Sequence, residues 1–203
     1  MVHWICISRQ FASGGREIGQ KVAQALGIPC YDRELITQSA GEHQLCADVV
    51  RDNEEFASRH LMFSYPLGSM KAFPSSYKEP MSLPDQVFYA QADTIRRLAD
   101  KGPCIFLGRC AGDVLEGRHG MRRIFLYADF EDRCTRVMEQ TGCTLQEAQA
   151  LVKRMDKRRA AYYNCYANHK WGEADSFDLA INRSTCSIEG AVQTILAYRN
   201  ALD

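Results

Sequence analysis

Residues 8–19 read SRQFASGGREIG, and this stretch decides the fold. It follows a short apolar run, His3–Ser8 (HWICIS), and leads into a helical pattern over Arg16–Leu26 with apolar residues at Ile18, Val22, Ala25 and Leu26. Ser13, Gly14 and Gly15 predict a tight turn at the start of that helix. Glycines let backbone N–H groups converge on an anion, and the helix dipole favours negative charge there. Arg16 sits just inside the turn, placed to hold a phosphate. A Walker A sequence, G-x-x-x-x-G-K-[ST], is absent. Arg16 stands about where its lysine belongs, and Ile18 near the hydroxyl that binds magnesium. Two readings follow: a phosphate cradle of Ser13, Gly14, Gly15, Arg16, Glu17 and Ile18, or a strand–helix turn in which Ser-Gly-Gly serves geometry alone. The position directly after the first strand favours the cradle.

The same strand–helix rhythm continues outward. Pro103–Leu107 (PCIFL) and Arg123–Tyr127 (RIFLY) are further apolar runs, with weaker ones at Ile28–Tyr31 and Phe177–Asn182. Helical patterns cover Asp85–Lys101, Thr144–Asn168 and Ser187–Ala201. The third opens on TLQE, a Thr-x-x-Glu capping box with Thr144 as cap and Glu147 at N3. Short continuous apolar strands alternating with helices indicate a parallel sheet covered on both faces, so the class is α/β with five strands. Met62–Pro84 breaks the rhythm with Pro66, Pro74, Pro80 and Pro84, and carries Phe63, Tyr65, Phe73 and Tyr77. Proline blocks regular structure here, and a loop this long inside a compact domain is usually functional or disordered. The aromatics favour a partly ordered loop on the substrate side, within an insert spanning residues 42–84.

Composition narrows the classes. In 203 residues, 25 Lys+Arg balance 25 Asp+Glu, and 46% are hydrophobic. That fits a folded chain of one domain with an insert or lid, and excludes disorder as its main state. Zero net charge gives no global attraction to nucleic acid or to an anionic membrane. No run approaches the roughly 18–20 apolar residues of a membrane-spanning helix. MVHWICISRQ does not read as a signal peptide. Nine cysteines are scattered without C-x-x-C spacing, which argues against both a disulfide framework and a zinc site and points to the reducing cytoplasm. His43, His60, His119 and His169 lack the spacing of metal ligands.

Several residues stand where chemistry would be carried. In doubly wound sheets, ligands sit outside the carboxyl ends of the strands. Asp32, followed by Arg33 and Glu34, ends the second run. It can orient an acceptor or a magnesium water, or cap the helix Arg33–Ala40. Glu17 is the next carboxylate to consider. Gly108-Arg109 ends the third run, where an arginine binds a substrate phosphate bidentately or makes a structural salt bridge. Leu151–Lys170 carries Lys153, Arg154, Lys157, Arg158, Arg159 and Lys170 against Asp156 alone. Arg154 and Arg158 are one turn apart and share a face, so they are expected over the cradle with Arg159 pointing elsewhere. A solvated face is the alternative for this run. Tyr162, Tyr163 and Tyr166 stack on a base or pack the helix, and Asn182 and Arg183 touch a nucleotide or cap a turn.

Taken together these segments resemble one family. ISRQFASGGREIGQKVAQALGIPCYDRELI (residues 7–36) is similar to the start of the cytidylate kinase-like family, P-loop proteins with a degenerate phosphate loop. IFLGRCAGDVL (105–115), IFLYADFEDRCTRVME (124–139), MDKRRAAYYNCY (155–166) and WGEADSFDLAINRS (171–184) resemble its later segments in the same order. The likeness covers nearly the whole chain and is weakest over Gln44–Pro84.

That resemblance implies a P-loop NTPase-type, three-layer α/β/α fold with strand order 2-3-1-4-5 and a helical lid over residues 144–172. It implies ATP and Mg2+ as cofactors, with nucleotide phosphates on Ser13–Ile18. Arg16, Asp32, Arg154 and Arg158 would be the catalytic set, and Asp32, Arg33 and Arg109 would hold a nucleoside monophosphate or other small acceptor. No nucleic-acid or membrane partner is expected. One departure is Leu107, where kinases of this family place Asp before Gly-Arg. The missing lysine and hydroxyl support a second reading, a nucleotide- or phosphate-binding protein with little or no kinase activity. Transfer of another group, such as sulfuryl, is a third.

Overall fold

A computed structural model describes residues 3–36 and 82–201. Within them run β1 (Trp4–Arg9), α1 (Gly15–Leu26), β2 (Cys30–Tyr31), α2 (Leu83–Ala99), β3 (Cys104–Leu107), α3 (Ala111–Val114), β4 (Met121–Tyr127), α4 (Phe130–Thr141), α5 (Leu145–Tyr166), β5 (Leu179–Asn182) and α6 (Ile188–Asn200). Most of the insert expected over residues 42–84 lies outside the described residues, as do His43 and His60. Its last residues start α2: Ser82 accepts the Asp85 N–H, and Pro84 falls in the first turn. Proline is compatible with that position because the N–H it lacks has no helical acceptor there. The loop reading therefore ran two residues too far.

The strands form one parallel sheet in the order β2-β3-β1-β4-β5. Alternate residues face opposite layers, as the strand period requires. Ile5, Ile7, Ile105, Leu107, Ile124 and Leu126 meet Ile18 and Val22 of α1 and Val192 and Ile195 of α6. On the other face Cys6, Cys104 and Phe106 meet Ile95 and Leu98 of α2 and Ala111 of α3. A smaller apolar cluster joins α4 to α5 through Cys134, Val137, Ala148 and Val152, with Phe11 and Ala12 packed against it. Thr144 and Glu147 close the capping box expected for α5. The eight cysteines within the described residues are free, and burial raises the Cys6 and Cys110 thiols above their usual range.

This order opens the cleft between β1 and β3, the two strands whose carboxyl ends carry the SRQFASGG turn and Gly108-Arg109. α1 reaches its place because Gly19 has no side chain: a Cβ there would lie 2.6 Å from Leu107 Cδ2 and 3.5 Å from Ile7 Cδ1. Gly19→Val therefore forces bulk into a filled layer. It should lower the unfolding free energy by about 1–3 kcal/mol, read from urea melts, and an unchanged midpoint would show that α1 is not seated this closely.

Candidate active site

The turn between β1 and α1 is built from short-range contacts. Ser13 is buried, and its Oγ donates to the Gln10 carbonyl at 2.9 Å. Gln10 is held in turn: its N–H donates to the Leu126 carbonyl at 2.9 Å and its Oε1 accepts the Ala128 N–H at 3.1 Å. Ala12 takes φ +61° and Gly14 φ +82°. A left-handed alanine costs roughly 1–2 kcal/mol, so the neighbouring contacts must impose it. Gly14 heads α1 and no side chain caps the helix. The N–H groups of a first turn have no helical acceptor, and Gly15, Arg16 and Glu17 all line the cleft along this turn. Ile18, expected in the cradle, belongs to the core instead. Its side chain is fully buried, and its N–H donates to the Gly14 carbonyl at 3.0 Å. The Glu17 carboxylate pairs with Arg136 at 3.0 Å and Lys21 at 3.5 Å.

Arg16 does not fold back over the cradle. Its guanidinium bridges Asp32 at 2.7 Å and Glu34 at 3.2 Å, and its side chain is 58% exposed. Asp32 accepts the Leu35 N–H at 3.1 Å, so it caps the helix that begins at residue 33. Cap and ion pair together fix this carboxylate at the edge of a cleft of about 580 Å³ that runs along the cradle.

A second cavity of about 100 Å³ opens beside the first, lined by Arg9, Arg33, Arg109, Arg158, Arg159, Tyr162 and Trp171. No carboxylate is among the described residues lining it. Arg9, Arg33 and Arg159 line both spaces, so the two adjoin. Arg109 takes φ +59° and lies 4.5 Å over the Tyr162 ring.

The basic helix divides differently from the expectation. Arg158 lines the cavity, but so does Arg159, whose Nη1 donates to the Arg9 carbonyl at 2.8 Å, whereas Arg154 is exposed. The reason is the seat of α5. Ala148 and Val152 form its buried stripe, and Met155 and Arg159 continue it at three- and four-residue steps. Of the tyrosines, Tyr166 stacks on Phe88 at 4.1 Å and donates to Asp85 at 3.0 Å, and Tyr163 is buried. Both pack the helix.

Arg9 escaped the sequence reading because it reads as the polar end of a strand. The signal was available: it stands at a carboxyl end, the same logic that picked out Arg109. Burial, then Arg159 and Arg109, push its guanidinium down to about 9, while Asp32 pulls the other way. Arg159 is lowered to about 10, burial again leading. Positive charge is thus crowded at the floor of the cleft.

What holds α5 in place is a compact polar knot. Arg133 of α4 is buried and ion-paired with Asp156 of α5. It also donates to the carbonyls of Ala128 at 3.0 Å and Phe11 at 3.3 Å, while the Phe11 N–H donates to Asp156 at 2.7 Å. At the two ends of β5, Asp178 accepts the Arg123 N–H at 2.7 Å, and Asn182 accepts the Ser184 N–H at 2.9 Å. The first ties the start of β5 to β4, and the second holds the turn after β5.

The model of the cytidylate kinase-like family matches residues 4–185. The chain belongs to that family. A cytidylate kinase from Methanothrix thermoacetophila is 26% identical over 117 residues, 58% of this chain and 66% of that relative's length. A crystal structure of an uncharacterized protein from Eubacterium ventriosum superposes with a TM-score of 0.71 at 25% identity, covering 98% of this chain and 99% of that one. A gluconokinase from Sinorhizobium meliloti gives 0.56 at 16% identity over 98% and 93%, a likeness of fold alone. The three-layer P-loop kinase architecture is therefore shared, and within this cytidylate kinase-like chain the cradle and the arginine-lined cavity fall at the carboxyl edge of the sheet.

Asp156 is the test of how α5 is held. Asp156→Ala strips Arg133 of its partner inside the fold, a change that costs about 3–5 kcal/mol for a buried pair. The melting temperature should fall and amide exchange over residues 145–166 should speed up. Exchange unchanged in that helix would mean the apolar cluster alone holds it.

Proposed function

We propose that the protein transfers a phosphoryl group from ATP to a small anionic acceptor, a nucleoside monophosphate or a phosphorylated or carboxylated metabolite. The observation that carries this reading is an uncapped glycine turn beside a cavity lined by five guanidinium groups, Arg9, Arg33, Arg109, Arg158 and Arg159, three of which border the cleft along the turn as well. The turn fits a polyphosphate because helix N–H groups and the dipole both favour negative charge at that point. For magnesium, all-protein cages are unusual: one or two carboxylates share the ion with phosphates. Asp32 at the cleft edge fits that pattern, and no cluster of three metal-ligating side chains occurs among the described residues.

ATP would bring the transferable phosphoryl group, and the metal would neutralise its oxygens. The chain's own residues bind and position. The N–H groups of Gly15, Arg16 and Glu17 hold the donor phosphates. Arg33, Arg109 and Arg158 hold the acceptor's anionic group, Arg109 by a bidentate fork. Asp32 orients the attacking oxygen or a metal-bound water. Arg154, exposed a turn before Arg158, joins the cleft only if α5 slides or rolls on ligand binding. Phosphoryl transfer depends mainly on such positioning and charge neutralisation. A reducing, cytoplasmic setting accords with the free thiols. Among the described residues no helix is long and apolar enough to cross a membrane.

One observation favours a second reading, nucleotide binding without transfer: Arg16 is drawn away from the cradle by Asp32 and Glu34. A thermal-shift panel of nucleotides, sugar phosphates and hydroxy acids, run with and without magnesium and followed by product detection, separates the two. Asp32→Asn keeps the cap and removes the charge. It should lower turnover by about 10²-fold or more and leave ATP affinity within a fewfold range. Stabilisation by ATP without turnover of any acceptor would establish the binding protein, and full turnover in Asp32→Asn would reduce Asp32 to a helix cap.

A further inference from the structure

The sequence places Arg16 at the lysine position of a phosphate loop, yet the side chain that crosses the site belongs to Arg9. Its aliphatic stem lies on the cradle: a Cβ added at Gly15 would fall 2.7 Å from Arg9 Cγ and 2.9 Å from its Cβ. Its head lies on the loop after β3: a Cβ added at Gly108 would fall 3.5 Å from Arg9 Cζ and collide with Nη1. Glycines at both positions leave the room this side chain occupies, Gly15 for its stem and Gly108 for its guanidinium. Arg9 therefore spans from the donor cradle to the start of the acceptor loop and lines both spaces. Arg159 fixes its backbone by donating to its carbonyl at 2.8 Å. Arg16, by contrast, spends its charge on Asp32 and Glu34 at the cleft edge.

We propose that Arg9, not Arg16, is the cation that bridges donor and acceptor phosphates in this chain, entering from the strand end beneath the cradle rather than from the first turn of α1. The assignment rests on the phosphotransferase reading and names the residue that supplies its missing lysine. In the transfer step, an acceptor oxygen forms a bond to the γ-phosphorus as the bond from that phosphorus to the β,γ-bridging oxygen breaks. The electron pair stays on the β-phosphate of the departing ADP. If the acceptor is a hydroxyl, its proton passes to the Asp32 carboxylate, and an ionised phosphate acceptor has none to lose. Arg9 keeps its proton throughout and donates to the equatorial oxygens, where charge is spread in the transition state. The crowding of Arg9 by Arg159 and Arg109 has the same sense: a cluster of like charges is repulsive until an anion joins it.

The experiment compares wild type, Arg9→Gln, Arg9→Lys and Arg16→Gln. Affinity for Mg-ATP and for tripolyphosphate is measured by calorimetry, and melting temperature without ligand is measured alongside. Arg9→Gln should bind tripolyphosphate at least about tenfold more weakly, the low end for losing a charge-assisted hydrogen bond. It should melt no lower than wild type, because a repelled cation has been removed. Arg9→Lys should recover part of the affinity, and Arg16→Gln should lose less than Arg9→Gln. On any acceptor found, kcat of Arg9→Gln should fall about 10³-fold, the scale of a catalytic arginine. Loss in Arg16→Gln equal to or greater than in Arg9→Gln, or a lower melting temperature in Arg9→Gln with affinity intact, overturns the assignment. The failure of the underlying reading looks different: wild type itself would then bind neither Mg-ATP nor tripolyphosphate.

Discussion

The ion pair between Arg133 and Asp156 ties α5 to α4 and to the cradle, and the site depends on that helix. It joins three parts at once: α4 through Arg133, α5 through Asp156, and the cradle through both the N–H and the carbonyl of Phe11. A charge pair taken out of water is stable only when its remaining donors and acceptors are filled, and here the Phe11 backbone and the Ala128 carbonyl fill them. The consequence is geometric. With α5 anchored at Asp156, one helical turn is enough to set Arg158 and Arg159 at the cleft, close to the end of β1 where Arg9 emerges.

The cleft that results is electrostatically lopsided in a protein whose formal net charge is zero. Five guanidinium groups border the cavity, and the carboxylates Asp32 and Glu34 are gathered at the outer edge with Arg16. Positive charge gathered in this way favours an anionic ligand, as the proposed reaction requires. The glycines at 15 and 108 belong to the same design, since a side chain at either would displace the Arg9 guanidinium or its stem.

Much of the fold was legible. Five apolar runs became five parallel strands, and Thr144–Glu147 became a capping box, because local pattern and tertiary demand agree at those points. Boundaries moved where a local rule has a positional exception, as at Pro84, which suits the first turn of a helix. The cradle was legible from its glycines, but its cation was not. Arg16 looked like the lysine substitute by spacing alone, and spacing says nothing of where a flexible side chain finds a carboxylate. Arg159 was assigned to the wrong side because the Arg154–Arg158 step was read as the functional face. The stripe that matters runs through Ala148, Val152 and Met155 and is set by the packing of α4 on α5.

In the proposed reaction, donor phosphates sit on the first turn of α1 with their outermost group toward Arg9. A crystal structure with magnesium and a non-hydrolysable ATP analogue tests it directly. The expected result is β- and γ-phosphate oxygens within hydrogen-bond distance of the Gly15, Arg16 and Glu17 N–H groups and the γ-phosphate contacting Arg9. Phosphates seated elsewhere, with the turn empty and Arg9 unchanged, would contradict it.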